Sequence, residues 1–128
     1  MHKSNLDIAE AYYSAVQSGD YEKMGSYLAN DVKYSDPQWP LKGKDQVWPI
    51  ANSFSAAVNR LKTEAKFTNN DHQVMLVHDV LFHKSDRPMK TAVLMSFDQG
   101  RIKEIELFAD TSQHLEICRH IFTHPIQP

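Results

Sequence analysis

The sequence predicts an α+β fold, with helices laid on one face of a mostly antiparallel sheet. Two observations predict it. Apolar residues recur at helical spacing up to Leu61, and from residue 62 the period changes to two. Pro, Gly, Asn and Asp stand where one pattern gives way to the next, and no repeat, linker or low-complexity segment interrupts the order.

Ser4-Asn5-Leu6-Asp7 reads as a helix cap with an acid three residues on. Leu6, Ala9, Tyr13 and Val16 then share one helical face, and Ile8, Tyr12 and Ala15 an adjacent one. The helix should stop near Ser18-Gly19. Asp20 can cap a short second helix that buries Tyr21, Met24 and Leu28 and ends at Asn30-Asp31. Val32–Ser35 alternates as a short strand. Pro37, Pro40 and Gly43 break regular structure after it. Asp45 can cap a third helix running through Leu61, with Pro49 tolerated in its first turn. Strands are expected at Lys62–Phe67, His72–His83, Met89–Phe97 and Arg101–Ala109, the last two joined by the tight link Asp98-Gln99-Gly100. Asp110-Thr-Ser-Gln113 resembles the cap of a last helix through Phe122, leaving Thr123–Pro128 frayed.

The 128 residues suffice for one domain spanning 1–128, with an ordered core over about 5–122. A net charge of −2 and the absence of any strongly basic run argue against nucleic acid as a partner. No stretch approaches the roughly 20 apolar residues of a membrane span, and the N-terminus lacks the apolar core of a signal peptide. One cysteine, Cys118, allows no intrachain disulfide, which points to a reducing, cytoplasmic location.

The strand at His72–His83 carries Val74, Leu76, His78, Val80 and Phe82 on one face. Gln73, Met75, Val77, Asp79, Leu81 and His83 lie on the other. Neither face is clearly solvent-like, so both are expected to be covered, one by helices and the other by a second copy of the chain. His120 and His124 stand at i, i+4 without a third ligand, so no metal is expected, and no motif calls for a cofactor.

The letters YYSAVQSGDYEKMGSYLANDVKYSDP, and the later run QGRIKEIELFADTSQ, resemble the nuclear transport factor 2-like superfamily. That superfamily includes ketosteroid isomerases and SnoaL-like polyketide cyclases. The resemblance covers roughly residues 5–122. It implies a cone-shaped, curved, mostly antiparallel sheet, cystatin-like or ketosteroid-isomerase-like, with three N-terminal helices closing a pocket and a C-terminal helix. It also implies a small apolar ligand and chemistry without metal or cofactor.

On this resemblance Asp36, followed by Pro37, falls where the isomerases hold their general base. Tyr12 falls where they hold a hydrogen-bond donor to the developing oxyanion. A base needs an ionised but partly desolvated carboxylate, and the oxyanion needs a preorganised donor in a dry pocket. Taken alone, Asp36 reads rather as a turn residue and Tyr12 as a core tyrosine; it is their shared register that points to a pocket. Val93 stands where the isomerases carry a second, protonated acid, so half of the expected oxyanion site is missing. His78 could work with Asp36 as a neutral imidazole, or be a core histidine. Asp110 matches an acid near the last strand of SnoaL-like cyclases, or serves only as a helix cap. Glu104 and Glu106 should point away from the pocket. The epoxide hydrolases of the superfamily need an Asp-Arg-Asp set, which Arg60, Arg87, Arg101 and Arg119 do not complete. The expected pocket lining is Val16, Trp39, Trp48, Phe54, Val74, Leu76, Val80, Phe82, Val93, Met95 and Leu107. The activity implied is proton transfer on a small carbonyl-containing molecule: isomerisation, cyclisation or dehydration. The alternative is a non-catalytic ligand-binding or protein-interaction module.

Overall fold

Ser4 caps the first helix as its sequence predicts. In the computed structural model, which describes residues 4–127, its hydroxyl accepts from the Asp7 N–H at 3.1 Å. The Asp7 carboxylate accepts from the Ser4 N–H in return. Helix α1 (Asn5–Ser18) ends on Gly19, whose φ of 74° supplies the left-handed cap. Asp20 accepts from the Lys23 N–H and starts α2 (Tyr21–Ser26). Strand β1 follows (Leu28–Ser35), then β2 (Leu41–Lys42), α3 (Lys44–Ala57), β3 (Val58–Asn69), β4 (Gln73–Phe82), β5 (Met89–Asp98), β6 (Arg101–Ala109) and α4 (Leu115–Thr123).

Several boundaries differ from the sequence reading. β1 begins at Leu28, not Val32. Its register against β6 slips between Leu28 and Lys33, so its buried residues Leu28 and Val32 lie four apart and imitate a helix. α3 stops at Ala57, not Leu61. β3 has extra residues at Val58/Arg60 and Thr63/Ala65, so Val58 and Leu61 face inward at helical spacing while lying in a strand. Asp45 does not cap α3; Gly43 does, at φ 86° and without a side-chain bond. β2 was not foreseen, and pairs its two residues with Lys33 and Tyr34 between the proline-rich turns. Asp110 does not cap α4. It accepts from the Ser112 N–H at 3.0 Å, closing a turn, and α4 begins after His114. The tail is not frayed over its described part. The Ile126 N–H donates to the Pro49 carbonyl, and Asn52 Nδ2 donates to the Ile126 carbonyl. Pro128 lies outside the described residues.

The six strands form one curved, unclosed sheet in the order β2-β1-β6-β5-β4-β3. Only β1 with β6 is parallel. On β4 the inward residues Val74, Leu76, His78, Val80 and Phe82 are all buried, while the outward ones are partly exposed. One cluster joins α1 and α2 to Val74, Leu76, Met95 and Ile102. A second joins α3 and α4 to Val80, Phe82 and Met89. In the single chain the outer face is open rather than covered. Cross-strand registers place Phe67, Met75 and Leu94 in one row there, and Ala65, Val77, Ala92 and Phe108 in the next. Phe67 is 59% exposed and Phe108 46%. No helix among the described residues is long and apolar enough to cross a membrane.

Trp48 holds α2 to α3. Its ring stacks on Tyr21 at 4.3 Å and its Nε1 donates to the Tyr21 carbonyl at 2.8 Å. The indole lies against Gly25, where a Cβ would come within 2.2 Å of Trp48 Cζ2. Gly25→Ala should therefore force α2 and the indole apart, costing about 1–3 kcal/mol. Urea denaturation gives the test. An unchanged midpoint would show that the ring moves freely.

Candidate functional site

The inner face of the sheet, α1, α3, α4 and the loop after β1 enclose a cavity of about 370 Å³. That is the size range of small-ligand sites. Its walls are mostly apolar, from Val16, Phe54, Phe82, Val93, Leu107 and Phe122 among others. No Lys or Arg lines it among the described residues. Asp36 and Asp110 are its carboxylates.

Asp36 is held from two sides. Its Oδ1 accepts from the backbone N–H groups of Gln38 and Trp39, each at 2.7 Å. These bonds are what an aspartate ahead of a proline-rich turn makes with the residues that follow it. Its Oδ2 accepts from the Tyr34 hydroxyl at 2.8 Å. Asp36 is thus a turn residue and a cavity residue at once. The two sequence readings are not exclusive. Oδ1 is fixed, and Oδ2 keeps acceptor capacity beyond its single partner.

Tyr12 and Tyr13 both line the cavity, with rings edge-on at 5.0 Å. Burial pushes both hydroxyls up, for Tyr13 with help from neighbouring Tyr12, so both remain protonated donors at neutral pH. Tyr34 is pushed up as well, by burial first and then by the Asp36 carboxylate it serves. His78 is 1% exposed, and its ring lies 4.6 Å from that of Tyr13. Its Nε2 has no hydrogen-bond partner within the protein. Burial lowers its pKa to about 4, so the imidazole is neutral at pH 7. Asp110 reaches the cavity edge with Thr111 and Ser112. The bonds it accepts from Ser112 keep its carboxyl below the usual range.

Of the expected lining, Val16, Trp39, Phe54, Phe82, Val93 and Leu107 lie on the cavity wall. Trp48 does not, being committed to Tyr21. Val74, Leu76 and Met95 pack instead into the cluster under α1, and Val80 into the one beneath α3 and α4. They share the inward side with His78, but helices sit directly on them. Among the titratable side chains of the cavity, Tyr13, Tyr34 and Cys118 escaped the sequence reading as site residues, and so did the hydroxyl of Thr91. Tyr34 was findable, since it precedes Asp36 by two positions in an extended segment. Cys118 was read only as a lone cysteine that allows no intrachain disulfide. Burial and then the Asp36 carboxylate push its thiol up to about 11. Trp39 stacks flat on Phe122, 5.3 Å apart and 1° from parallel, which ties the loop after β1 to α4. Glu104 and Glu106 are exposed on the other side of β6. Among the described residues no three His, Cys, Asp or Glu side chains gather as a metal site.

The SnoaL-like domain family matches this chain over residues 9–105. A search of curated protein sequences gives no match. Solved structures match its fold closely at low identity. An NTF2-like protein of unknown function from Cytophaga hutchinsonii superposes with a TM-score of 0.78 at 11% identity, over 90% of this chain and 97% of its own. A steroid delta-isomerase from Pseudomonas aeruginosa gives 0.78 at 16%, over 96% and 91%. An LEH-like epoxide hydrolase of M. tuberculosis gives 0.73 at 14%, over 93% and 92%.

The neutral His78 makes stability depend on pH. A histidine in the unfolded chain titrates near 6.5. Between that pH and about 4 the unfolded chain binds a proton that the fold refuses. The contribution of His78 is therefore complete above pH 6.5 and is lost as pH falls toward 4, by about 3 kcal/mol in all. Denaturant titrations at pH 7 and 4.5 should show this slope in the parent chain and a shallower one in His78→Phe. Equal slopes would mean that other groups cause the acid sensitivity.

Proposed function

This chain belongs to the SnoaL-like domain family, and from that premise we propose that it performs proton transfer on a small, largely apolar, carbonyl-containing molecule. Asp36 is the base. It takes a proton from the carbon next to the carbonyl and returns it elsewhere, which yields isomerisation, or drives cyclisation or dehydration on a suitable substrate. Tyr12 supplies a hydrogen bond to the oxygen that gains charge. The observation that carries this reading is the mounting of Asp36. One oxygen is fixed by two backbone N–H groups, the other accepts from Tyr34, the residue lines an apolar cavity, and no Lys or Arg lines that cavity among the described residues. A carboxylate so held is oriented before the ligand arrives. No arginine joins Asp36 in the cavity, so the reading does not extend to epoxide opening.

One observation favours a second reading, a binding module without chemistry. Val93 puts a hydrocarbon where the isomerases carry a second acid, and loss of one oxyanion donor can cost about 10²–10³ in rate. The two readings separate on one substrate, 2-tetralone, a flat ketone with an acidic benzylic C–H. The parent chain should accelerate deuterium uptake at that carbon in D₂O. Asp36→Asn should slow it by about 10²–10⁴ with little change in Kd. Full exchange in Asp36→Asn would remove the base assignment, and binding without exchange in the parent would favour the module.

The same reading includes pairing of two chains through the outer sheet face, in a reducing cytoplasm. The rows from Phe67 to Leu94 and from Ala65 to Phe108 form an apolar stripe that a second copy would cover. Light scattering should give about twice 14.7 kDa at micromolar concentration. Phe108→Glu should return the mass to that of one chain. A single-chain mass for the parent would end the dimer proposal.

A further inference from the structure

Besides Asp110, Thr111 and Ser112 at its edge, the cavity holds two polar regions on different strands. Asp36, Tyr34 and Trp39 belong to β1 and the loop after it, with Cys118 opposite. His78 belongs to β4, directly across from Thr91 of β5. In the sheet, β6 and β5 separate β1 from β4. Valine and leucine side chains, Val93 and Leu107, line the wall between. The second region carries no charge. His78 and Thr91 are both buried, and Tyr13 lies against the imidazole.

We propose that His78, with Tyr13 and Thr91 beside it, is the second anchor of the ligand and receives an uncharged oxygen, a hydroxyl or carbonyl, at the end of the molecule remote from Asp36. Three observations support it. First, the imidazole lines a ligand-sized cavity, yet its Nε2 has no partner in the protein. A buried polar atom left unpaired is costly, and a ligand oxygen that meets Nε2 as the imidazole turns toward the cavity removes that cost. Second, Thr91 adds to the same region a hydroxyl that can both donate and accept, so either a donor or an acceptor on the ligand can be matched. Third, the sign of the field is fixed. Among the described residues no Lys or Arg lines the cavity, and Asp36 and Asp110 are both acids. A carboxylate or phosphate on the ligand would lose its hydration and gain no counter-ion. The burial that keeps His78 neutral at pH 7 removes the last candidate cation. The ligand class that follows is neutral and two-ended, with a ketone toward Asp36, an apolar body, and one more oxygen toward His78. This inference rests on the proton-transfer reading only for the end of the ligand that faces Asp36.

Three probes test it: 2-tetralone, 6-hydroxy-2-tetralone and 6-carboxy-2-tetralone, with Kd measured by calorimetry at pH 7. The hydroxylated ketone should bind the parent about tenfold tighter than 2-tetralone, the value of one added neutral hydrogen bond. The carboxylated one should bind more weakly than 2-tetralone. His78→Leu should abolish the tenfold gain and leave the Kd of 2-tetralone within a factor of two or so. His78→Gln, which keeps a neutral hydrogen-bonding group, should retain part of the gain. His78→Phe keeps the ring shape and replaces the leucine variant if that one does not fold. No gain in the parent, a gain that survives in His78→Leu or His78→Phe, or a preference for the carboxylate would each overturn the proposal. Deuterium exchange reads the base separately. Loss of exchange in Asp36→Asn with an unchanged hydroxyl preference in His78→Leu would refute only this anchor. The opposite pattern would refute only the base.

Discussion

The fold depends on a sheet that must bend without closing. Register slips bend it: two in β3, one where β5 meets β6, and one in β1. Each inserts unpaired backbone into one strand and increases its local twist. The result is a concave face that α1, α3 and α4 cannot fill completely. Helices sit directly on Val74, Leu76 and Met95, and the core there is solid. Farther along, the covering elements stand off the sheet and the cavity opens. A flat sheet with the same inward residues would give a continuous core and no site.

That standing-off has an energetic consequence. Groups that would be satisfied in water or in a tight core are left facing an apolar hollow. Asp36 is protected by its three accepted hydrogen bonds, and Tyr34 is held as a donor because ionisation next to that carboxylate is unfavourable. His78 has no such protection and responds by staying neutral. The stability needed to tolerate these groups comes from elsewhere. Ser4, Asp20 and Gly19 cap the first two helices, and Trp48 locks α2 to α3. The flat Trp39–Phe122 stack then fixes the loop carrying Asp36 against α4. Asp36 is thus positioned by its own hydrogen bonds and by this stack, while His78 Nε2 is left without a partner.

What the sequence disclosed follows from the same geometry. The caps of α1 and α2 and the long strands β4, β5 and β6 were legible, since local chemistry and clean alternation determine them, whereas Asp45 and Asp110 do not cap α3 and α4. The ends of α2 and α3 were not, because register slips in β1 and β3 space inward residues three or four apart and copy a helical period. Asp36 could be picked out through Asp-Pro and its distance from Gly19-Asp20, and Tyr34 by simple alternation. Which of Tyr12 and Tyr13 meets His78 was not readable, because a helix packed at an angle exposes adjacent positions to different depths of one cavity. The inward face of β4 was identified correctly as a face. Periodicity cannot say that Val74 and Leu76 lie under α1 while His78 borders open space.

The position of His78 bears on how Val93 is understood. Val93 pairs with Leu76, and the next inward pair along the same two strands is Thr91 with His78. Successive inward pairs on a strand are about 7 Å apart. The polar group absent at Val93 thus has a counterpart one step along the ladder toward Phe82, in neutral imidazole rather than carboxylic acid form. A protonated acid beside a tyrosine serves a charge that develops on one oxygen. On the proposals above, a neutral imidazole displaced by one pair serves an oxygen at a different distance from the base proposed at Asp36. Moving the polar position along the ladder, with the fold held constant, changes the length and substitution pattern of the molecule that can be held while a proton moves. On this view the departure at Val93 is a change in which ligand the cavity accepts, made with the smallest structural alteration that an alternating strand permits.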